Sequence, residues 1–177
     1  MTEARLVEGE GGWQEPDGDG WFVLNARDAR WLVNDMGWYC SWESEAARFA
    51  ELGININVLI PGMPMAMYHQ EPAQEDLLVL DGEALLIVEG KERRLEKWDL
   101  VHCPRDVPHT ILGSGDKGAL VLAVGSRVGR PRATYPVDEA AVKHGAGVEV
   151  ETDSPQEAYS RFSPVEKASY PEALLPG

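Results

Sequence analysis

The sequence predicts an all-β protein whose core is an antiparallel jelly-roll barrel of two sheets. Eight short predicted strands follow one another between residues 54 and 125, and Gly, Pro and Asp residues separate them. Short strands in series with frequent turns are typical of antiparallel barrels and sandwiches. A length of 177 residues suits one such domain and is too short for two.

The chain divides by composition into three segments. Residues 1–20 are rich in glycine and acidic residues, which predicts a flexible arm. Residues 21–128 hold the barrel, and their aromatic, β-rich start predicts extra strands on its N-terminal side. Residues 129–177 are rich in proline and acidic residues. We expect them to form a C-terminal extension that packs on the barrel or on a partner subunit.

Short helices and one tight turn complete the predicted elements. The stretch SEAARFAEL has Ser44 as a candidate N-cap and stops at Gly53, which predicts a short helix. Two further stretches, VDEAAVKHG and PQEAYSRF, predict short C-terminal helices. The pair Glu89 and Gly90, just before Lys91, predicts a hairpin turn within the barrel.

Charge and composition exclude several classes of function. The net charge of −14 and a sequence pI of about 4.6 would repel phosphate backbones and anionic lipid, so we expect no nucleic acid or membrane partner. No apolar run approaches the roughly 20 residues that span a bilayer, and the acidic start is unlike a signal peptide. We therefore expect a cytoplasmic protein. Cys40 and Cys103 form neither a disulfide framework nor a Cys-x-x-Cys zinc pair, and we expect both to be core residues.

Histidines and acidic residues gather in two short segments of the predicted barrel. In the first, His69-Gln70-Glu71 is followed after three residues by Glu75. The second, WDLVHCPRDVPH, ends at His109. Side chains two apart on a strand point to the same face, so His69 and Glu71 can converge on one point inside a barrel. Two carboxylates there would raise each other's pKa, and a divalent cation would neutralise both.

These two segments resemble the paired motifs of the cupin superfamily. The motifs run glycine, a spacer, His-x-His, three or four residues, Glu, six residues and Gly, then later Pro-x-Gly-x-x-His. Here Glu71 stands at the second histidine, Trp98 and Asp106 replace glycines, and the spacer from Gly62 to His69 is one residue longer. Gly82 stands at the last position of the first motif.

The resemblance implies the double-stranded β-helix barrel of that superfamily and a bound metal. It implies one divalent transition metal, Fe, Mn, Ni or Zn, because imidazole and carboxylate donors suit all four. The implied ligands are two histidines and two glutamates, namely His69, Glu71, Glu75 and His109.

Strand parity also predicts the surroundings of the metal. Four apolar side chains lie an even number of residues from a proposed ligand and so share its face of the strand. We expect them to line a largely apolar pocket: Met65, Met67, Leu77 and Ile111. A four-residue turn would present the amide of Gln74 as a ligand in place of the Glu75 carboxylate. The turn at Pro104 leaves open which face of its strand His102 lies on. Gln74 and His102 are therefore candidates to support the ligands. A simpler alternative has Glu71 facing solvent and His69 only hydrogen-bonded.

Fold resemblance does not select one function, since the superfamily includes dioxygenases, isomerases, epimerases, decarboxylases and noncatalytic binding proteins. Our hypothesis is a metal-binding protein, dioxygenase- or isomerase-like, that acts on a small, partly apolar organic molecule. The absence of Lys and Arg between Met65 and Val79 disfavours a phosphosugar. The alternative is a noncatalytic metal or small-molecule binding protein. We also expect a homodimer.

Overall fold

The computed structural model of the protein describes residues 2–129 and 132–174. Strands dominate these ranges and helices are short, which confirms the predicted all-β class. The strands are β1 (Arg5–Glu8), β2 (Gln14–Asp17), β3 (Arg30–Asn34), β4 (Gly37–Ser41), β5 (Leu52–Leu59), β6 (Glu75–Val88), β7 (Lys91–Glu96), β8 (Leu100–Cys103), β9 (His109–Ser126) and β10 (Glu166–Ala168). The α-helices are α1 (Glu139–Lys143) and α2 (Pro155–Ala158), and a 3₁₀ turn covers Glu172–Leu174.

Two long strands, β6 and β9, organise the jelly-roll barrel. They pair with each other along almost their whole length, inside an antiparallel sheet of order β10-β3-β4-β5-β9-β6-β7, while β8 also pairs with β6. The register shifts between Val79 and Asp81 and again between Gly82 and Glu83. Such irregularities bend a strand pair and increase its twist. The bent pair carries the buried side chains of Leu77, Ile111 and Val121 into the barrel interior.

The predicted extra strands on the N-terminal side are present as β3 and β4. They add to the edge of β5 and bury Trp31 and Cys40 in a second apolar cluster, outside the barrel interior. The segment predicted to be a flexible arm contains β1 and β2, which form a separate two-stranded sheet. The amide of Gln14 donates to the carbonyl of Asp28 at 2.6 Å, which attaches this small sheet to the chain that leads into β3.

The predicted helix from Ser44 to Gly53 is wrong. The hydroxyl of Ser44 accepts from the amide of Ala47 at 3.0 Å, as an N-cap would, but no helical turn follows. The amide of Phe49 instead donates to the carboxylate of Glu43 at 2.7 Å, and Arg127 from the end of β9 binds the same carboxylate. A partly buried ion pair therefore takes the backbone donor that a helix would need.

The predicted regular strand over MAMYHQE is also wrong. Residues 60–74 contact the barrel through isolated bridges, among them Pro61 with Gly113, Pro64 with Leu112 and His69 with His109. Proline cannot donate to a strand ladder, and two prolines in a short stretch interrupt it. Side-chain alternation along this segment is lost as a result.

The C-terminal extension packs on its own barrel. Helix α1 begins at the N-cap Asp138, whose carboxylate accepts from Ala141, and α2 begins at the N-cap Ser154. Both short helices agree with the prediction. Strand β10 pairs with β3, and Thr134 pairs with Gln70. Among the residues described, no helix has the length and apolar character needed to cross a bilayer.

Candidate metal centre

Two histidines face each other across a backbone bridge at the start of β9. The amide of His69 donates to the carbonyl of His109 at 3.1 Å, and the amide of His109 donates to the carbonyl of His69 at 2.9 Å. Residues directly opposite in an antiparallel pair direct their side chains to the same side. The two imidazole rings accordingly lie together, with centroids 5.0 Å apart.

Both imidazole rings are oriented by the same kind of hydrogen bond. Nδ1 of His69 lies 2.8 Å from the carbonyl oxygen of Met67, and Nδ1 of His109 lies 2.8 Å from that of Val107. A carbonyl oxygen only accepts, so each Nδ1 carries the proton. Whenever a ring is neutral, its Nε2 atom presents a lone pair to the interior, as metal-binding histidines require.

Glu75, the first residue of β6, completes a group of three potential ligands. Its Oε2 lies 3.1 Å from Nε2 of His109 and 3.8 Å from Nε2 of His69. One ligand atom from each of the three residues falls within 4.8 Å of the other two. The side chains are 4% to 16% exposed. Two imidazole nitrogens and a carboxylate oxygen, gathered in a nearly buried site, are a donor set suited to a divalent transition metal.

The two histidines differ in their affinity for a proton. Burial alone would lower the pKa of His109, but the Cys103 side chain, the Glu75 carboxylate and the Val107 carbonyl outweigh it and raise that pKa to about 10. Burial and the neighbouring charge of His109 lower the pKa of His69, against a smaller opposite effect of Glu75. A positive charge in this site is therefore favourable, and a proton on His109 can supply it.

Glu71 lies close to the group of three but outside it. Burial and the Glu75 carboxylate raise the pKa of Glu71, and His109 partly offsets this. Its backbone carbonyl accepts from the amide of Asp106 at 2.9 Å, which connects the two motif segments. The role of Glu71 as a fourth ligand remains a prediction.

Gln74 and His102, the predicted supporting residues, lie on the outer face of the barrel instead. Both hydrogen-bond the carboxylate of Asp76, Gln74 at 2.5 Å and His102 at 2.6 Å, and the His102 side chain is 55% exposed. Asp76 and His102 are direct partners across β6 and β8 and so share one face. Because Asp76 follows Glu75 on the strand, that face is the one opposite the histidines.

The four predicted pocket-lining residues separate into two environments. Leu77 and Ile111 are buried in the barrel interior, with Met65 packed against them. Met67 instead packs in a cluster with Tyr135 and Ala158 of the C-terminal extension. The irregular backbone of residues 60–74 explains the difference, since strand parity would have placed both methionines on one face.

The C-terminal extension brings two tyrosines to the site that the motifs do not predict. The ring centroid of Tyr135 lies 6.5 Å from that of His69, and Tyr159 meets Tyr135 edge-on at 5.9 Å. The hydroxyl of Tyr159 accepts from the backbone amide of Met67 at 3.1 Å. Both tyrosines are distant in sequence from the histidines, so only tertiary packing reveals their position.

Comparison with known proteins agrees with the barrel fold. The family model described as Cupin domain matches residues 56–125. No curated protein matches the sequence significantly. The polyketide cyclase RemF from Streptomyces resistomycificus is a similar solved structure, with a TM-score of 0.52, 13% identity, and coverage of 59% of this chain and 78% of that one.

Two further solved structures have higher sequence identity to this chain than RemF and slightly lower TM-scores. A sugar phosphate isomerase from the cupin superfamily of Silicibacter pomeroyi is 23% identical, with a TM-score of 0.49 and coverage of 64% of this chain and 68% of that one. A candidate sugar phosphate isomerase from Acidithiobacillus ferrooxidans is 24% identical, with a TM-score of 0.47 and coverage of 58% of this chain. This chain spans 62% of the latter's length. The family match locates a cupin domain at residues 56–125, and the likeness to RemF agrees with the barrel fold of that domain.

Proposed function

We propose that the protein is a metal-dependent enzyme that acts on a small, partly apolar organic molecule bound beside the metal. The observation that carries this proposal is the convergence of His69, Glu75 and His109, whose ligand atoms lie within 4.8 Å of one another in a nearly buried site. Glu71, whose pKa the neighbouring Glu75 carboxylate raises, is the predicted second carboxylate.

The proposed ligands would leave coordination positions open on a bound metal. Two imidazoles and one carboxylate are the ligands of many non-haem iron sites, and Mn, Ni and Zn accept the same donors. With three or four protein ligands, a five- or six-coordinate ion keeps positions for water or substrate. A metal bound there would supply Lewis acidity or, if redox-active, reactivity toward oxygen.

The charge around the site supports an uncharged or weakly charged substrate. In the described part of the chain, the charges that act on the pKa values of His69, Glu71 and His109 come from one another, from Glu75 and from Cys103. No lysine or arginine contributes. The two glutamates would balance a divalent cation, so nothing would be left to stabilise a phosphate dianion. Met65, Leu77 and Ile111 supply the apolar surface nearby.

Elemental analysis tests the metal site directly. Protein should be purified without chelator and without a histidine tag, beside His69→Ala, His109→Ala and the outer-face control His102→Ala. We expect about one Fe, Mn, Ni or Zn per chain in the wild type and in His102→Ala, and loss of that metal in the other two variants. Metal retained by His69→Ala and His109→Ala, or none in the wild type after reconstitution, would refute the proposal.

A second measurement separates an enzyme from a protein that only binds a metal. Water-proton relaxation of the Mn(II)-loaded protein reports whether the ion keeps exchangeable water. We expect enhanced relaxation that the Glu75→Gln variant loses together with its metal. Stoichiometric Mn(II) without enhancement would indicate a coordination sphere closed by protein groups, and would favour the noncatalytic alternative.

A further inference from the structure

The C-terminal extension, which lies outside the cupin domain, places a pair of phenol groups beside the candidate metal centre. We propose that Tyr135 donates a hydrogen bond to the ligand or substrate bound at the metal, and that Tyr159 is the residue that positions it. This inference rests on the proposed function, because it requires a metal held by His69, Glu75 and His109.

Backbone pairing fixes Tyr135 next to a proposed ligand. Thr134 and Gln70 exchange two hydrogen bonds of 2.8 Å, one residue after His69 on one side and one residue before Tyr135 on the other. The amide of Tyr135 also donates to the carbonyl of Thr152 at 2.9 Å. With backbone bonds on both sides and 5% exposure, Tyr135 has little freedom to turn away from the site.

A chain of hydrogen bonds orients the hydroxyl group of Tyr159 and then that of Tyr135. The Tyr159 hydroxyl accepts from the amide of Met67 at 3.1 Å and is hydrogen-bonded to the hydroxyl of Tyr135. Since Tyr159 already accepts from Met67, its own proton is available to the oxygen of Tyr135. The proton of Tyr135 is then free for another acceptor, and the Tyr135 ring lies 6.5 Å from the ring of His69. We assign that acceptor to a molecule bound at the metal.

Both phenols stay protonated at neutral pH and so remain donors. Burial raises the pKa of Tyr135, the bond from Tyr159 opposes this, and the Glu71 carboxylate raises it further. Burial and the neighbouring Tyr135 raise the pKa of Tyr159 as well. A neutral donor in a nearly buried pocket can stabilise an anionic or developing negative charge on a bound molecule.

Packing alone is the competing explanation, because Tyr135 belongs to the apolar cluster of Met67 and Ala158. Phenylalanine preserves the ring and removes only the hydroxyl, so it separates the two roles. Tyr39 on β4 is a suitable control, since it is a partly buried tyrosine that pairs with Asn57 of β5, and the charged group that acts on its pKa is Arg30 and not a residue of the site.

Azide binding to the Co(II)-loaded protein, followed by visible absorption, tests the inference. Wild type, Tyr135→Phe, Tyr159→Phe and Tyr39→Phe should each be loaded with cobalt and titrated with azide. We expect azide to bind about tenfold more weakly to Tyr135→Phe, because this variant loses one hydrogen bond to a charged ligand. Tyr159→Phe should weaken azide about threefold, because the donor survives but is less well oriented. Cobalt content and the Tyr39→Phe affinity should equal the wild type.

Wild-type azide affinity in a cobalt-loaded Tyr135→Phe variant would overturn the inference while the metal site stands. If Tyr135→Phe fails to fold, the Tyr159→Phe titration decides, and wild-type affinity there overturns it equally. Failure of the wild type to bind cobalt would overturn the proposed function and this inference with it.

Discussion

At the scale of single residues, His69 and His109 make equivalent hydrogen bonds but have opposite shifts in pKa. Each donates Nδ1–H to a backbone carbonyl, yet only His109 contacts Glu75 at 3.1 Å and the Cys103 side chain. The proton of the metal-free site therefore belongs on His109. A metal and this proton compete for the same nitrogen, so metal binding is linked to pH.

Metal binding at pH 8 should release about one proton per chain. The pKa of His109 is about 10 in the metal-free protein, so the ring is charged at pH 8 and must become neutral to bind a metal. The affinity for zinc should accordingly rise about tenfold per pH unit between about pH 7 and 9. Calorimetry of zinc binding in buffers of different ionisation enthalpy measures the proton count.

The same shift affects the stability of the metal-free fold with the opposite sign. The raised pKa of His109 stabilises the fold fully below the ordinary value of 6.5, and this contribution is lost as the pH rises through about 10.

For the zinc-binding experiment, His102→Ala is the matched control, since the ring of His102 lies outside the site. Zero proton release, with a pH-independent zinc affinity, would mean that His109 is already neutral.

Sequence spacing could identify the three converging residues, but could not identify the tyrosines. The count from Glu75 to Gly82 selects Glu75 over Gln74, and the structure directs Gln74 outward to Asp76. Tyr135 and Tyr159 reach the site through packing of a segment with no local motif, and no periodicity in that segment points toward His69.

At the scale of strands and turns, the backbone conformation explains why glycine stands at the last position of the first motif. Gly82 lies in the irregular part of β6 with φ of 76°, a left-handed conformation that glycine adopts without strain. A methyl group at this position would collide with the carbonyl oxygen of Gly118 in β9. Trp98 and Asp106, which stand where the motifs have glycine, also have positive φ values of 77° and 65°. The backbone shape of the motifs is thus kept although the residues differ.

Gly82→Ala should destabilise the protein far more than Gly125→Ala. We expect a loss of about 2 kcal/mol or more in the free energy of unfolding for Gly82, from the strained φ and the collision together. Gly125 lies in β9 without a positive φ, and an added methyl group there meets no atom within 4 Å, so its substitution should cost less than about 1 kcal/mol. Urea denaturation of both variants measures the difference. Equal losses would contradict this account of the strand bend.

Local signals predicted some elements correctly and others not, depending on whether distant groups compete for the backbone. The turn at Glu89 and Gly90 forms with φ of 47° and 72°, and the caps Asp138 and Ser154 begin their helices, because each signal acts within a few residues. The helix at Ser44 fails because Arg127 holds the Glu43 carboxylate that captures the amide of Phe49. That contact spans half the chain and leaves no local trace.

At the scale of the whole molecule, the apolar interior of the barrel is complete without a metal. Its buried cluster draws side chains from β5, β6, β7, β8 and β9, whereas the candidate ligands come from residues 60–74 and the starts of β6 and β9. A core of this extent should keep the metal-free protein folded. A bound metal would instead fasten the irregular segment, and the extension paired with it, onto the barrel.

Metal loading should therefore raise the midpoint of thermal unfolding without being required for folding. At free zinc of about 100 times Kd, binding contributes about 2.7 kcal/mol, which corresponds to roughly 5 to 10 °C for a chain of this length. The net charge of −14 will also attract zinc weakly to the surface, and such binding would shift the wild type and a site variant alike. The comparison with Glu75→Gln isolates the site, because this substitution removes the carboxylate between the histidines and changes the net charge by one unit. Circular dichroism melts of both proteins, with and without zinc, should show a shift confined to the wild type. A metal-free wild type that is already unfolded would make the metal structural, and an equal shift in both proteins would locate the binding on the acidic surface.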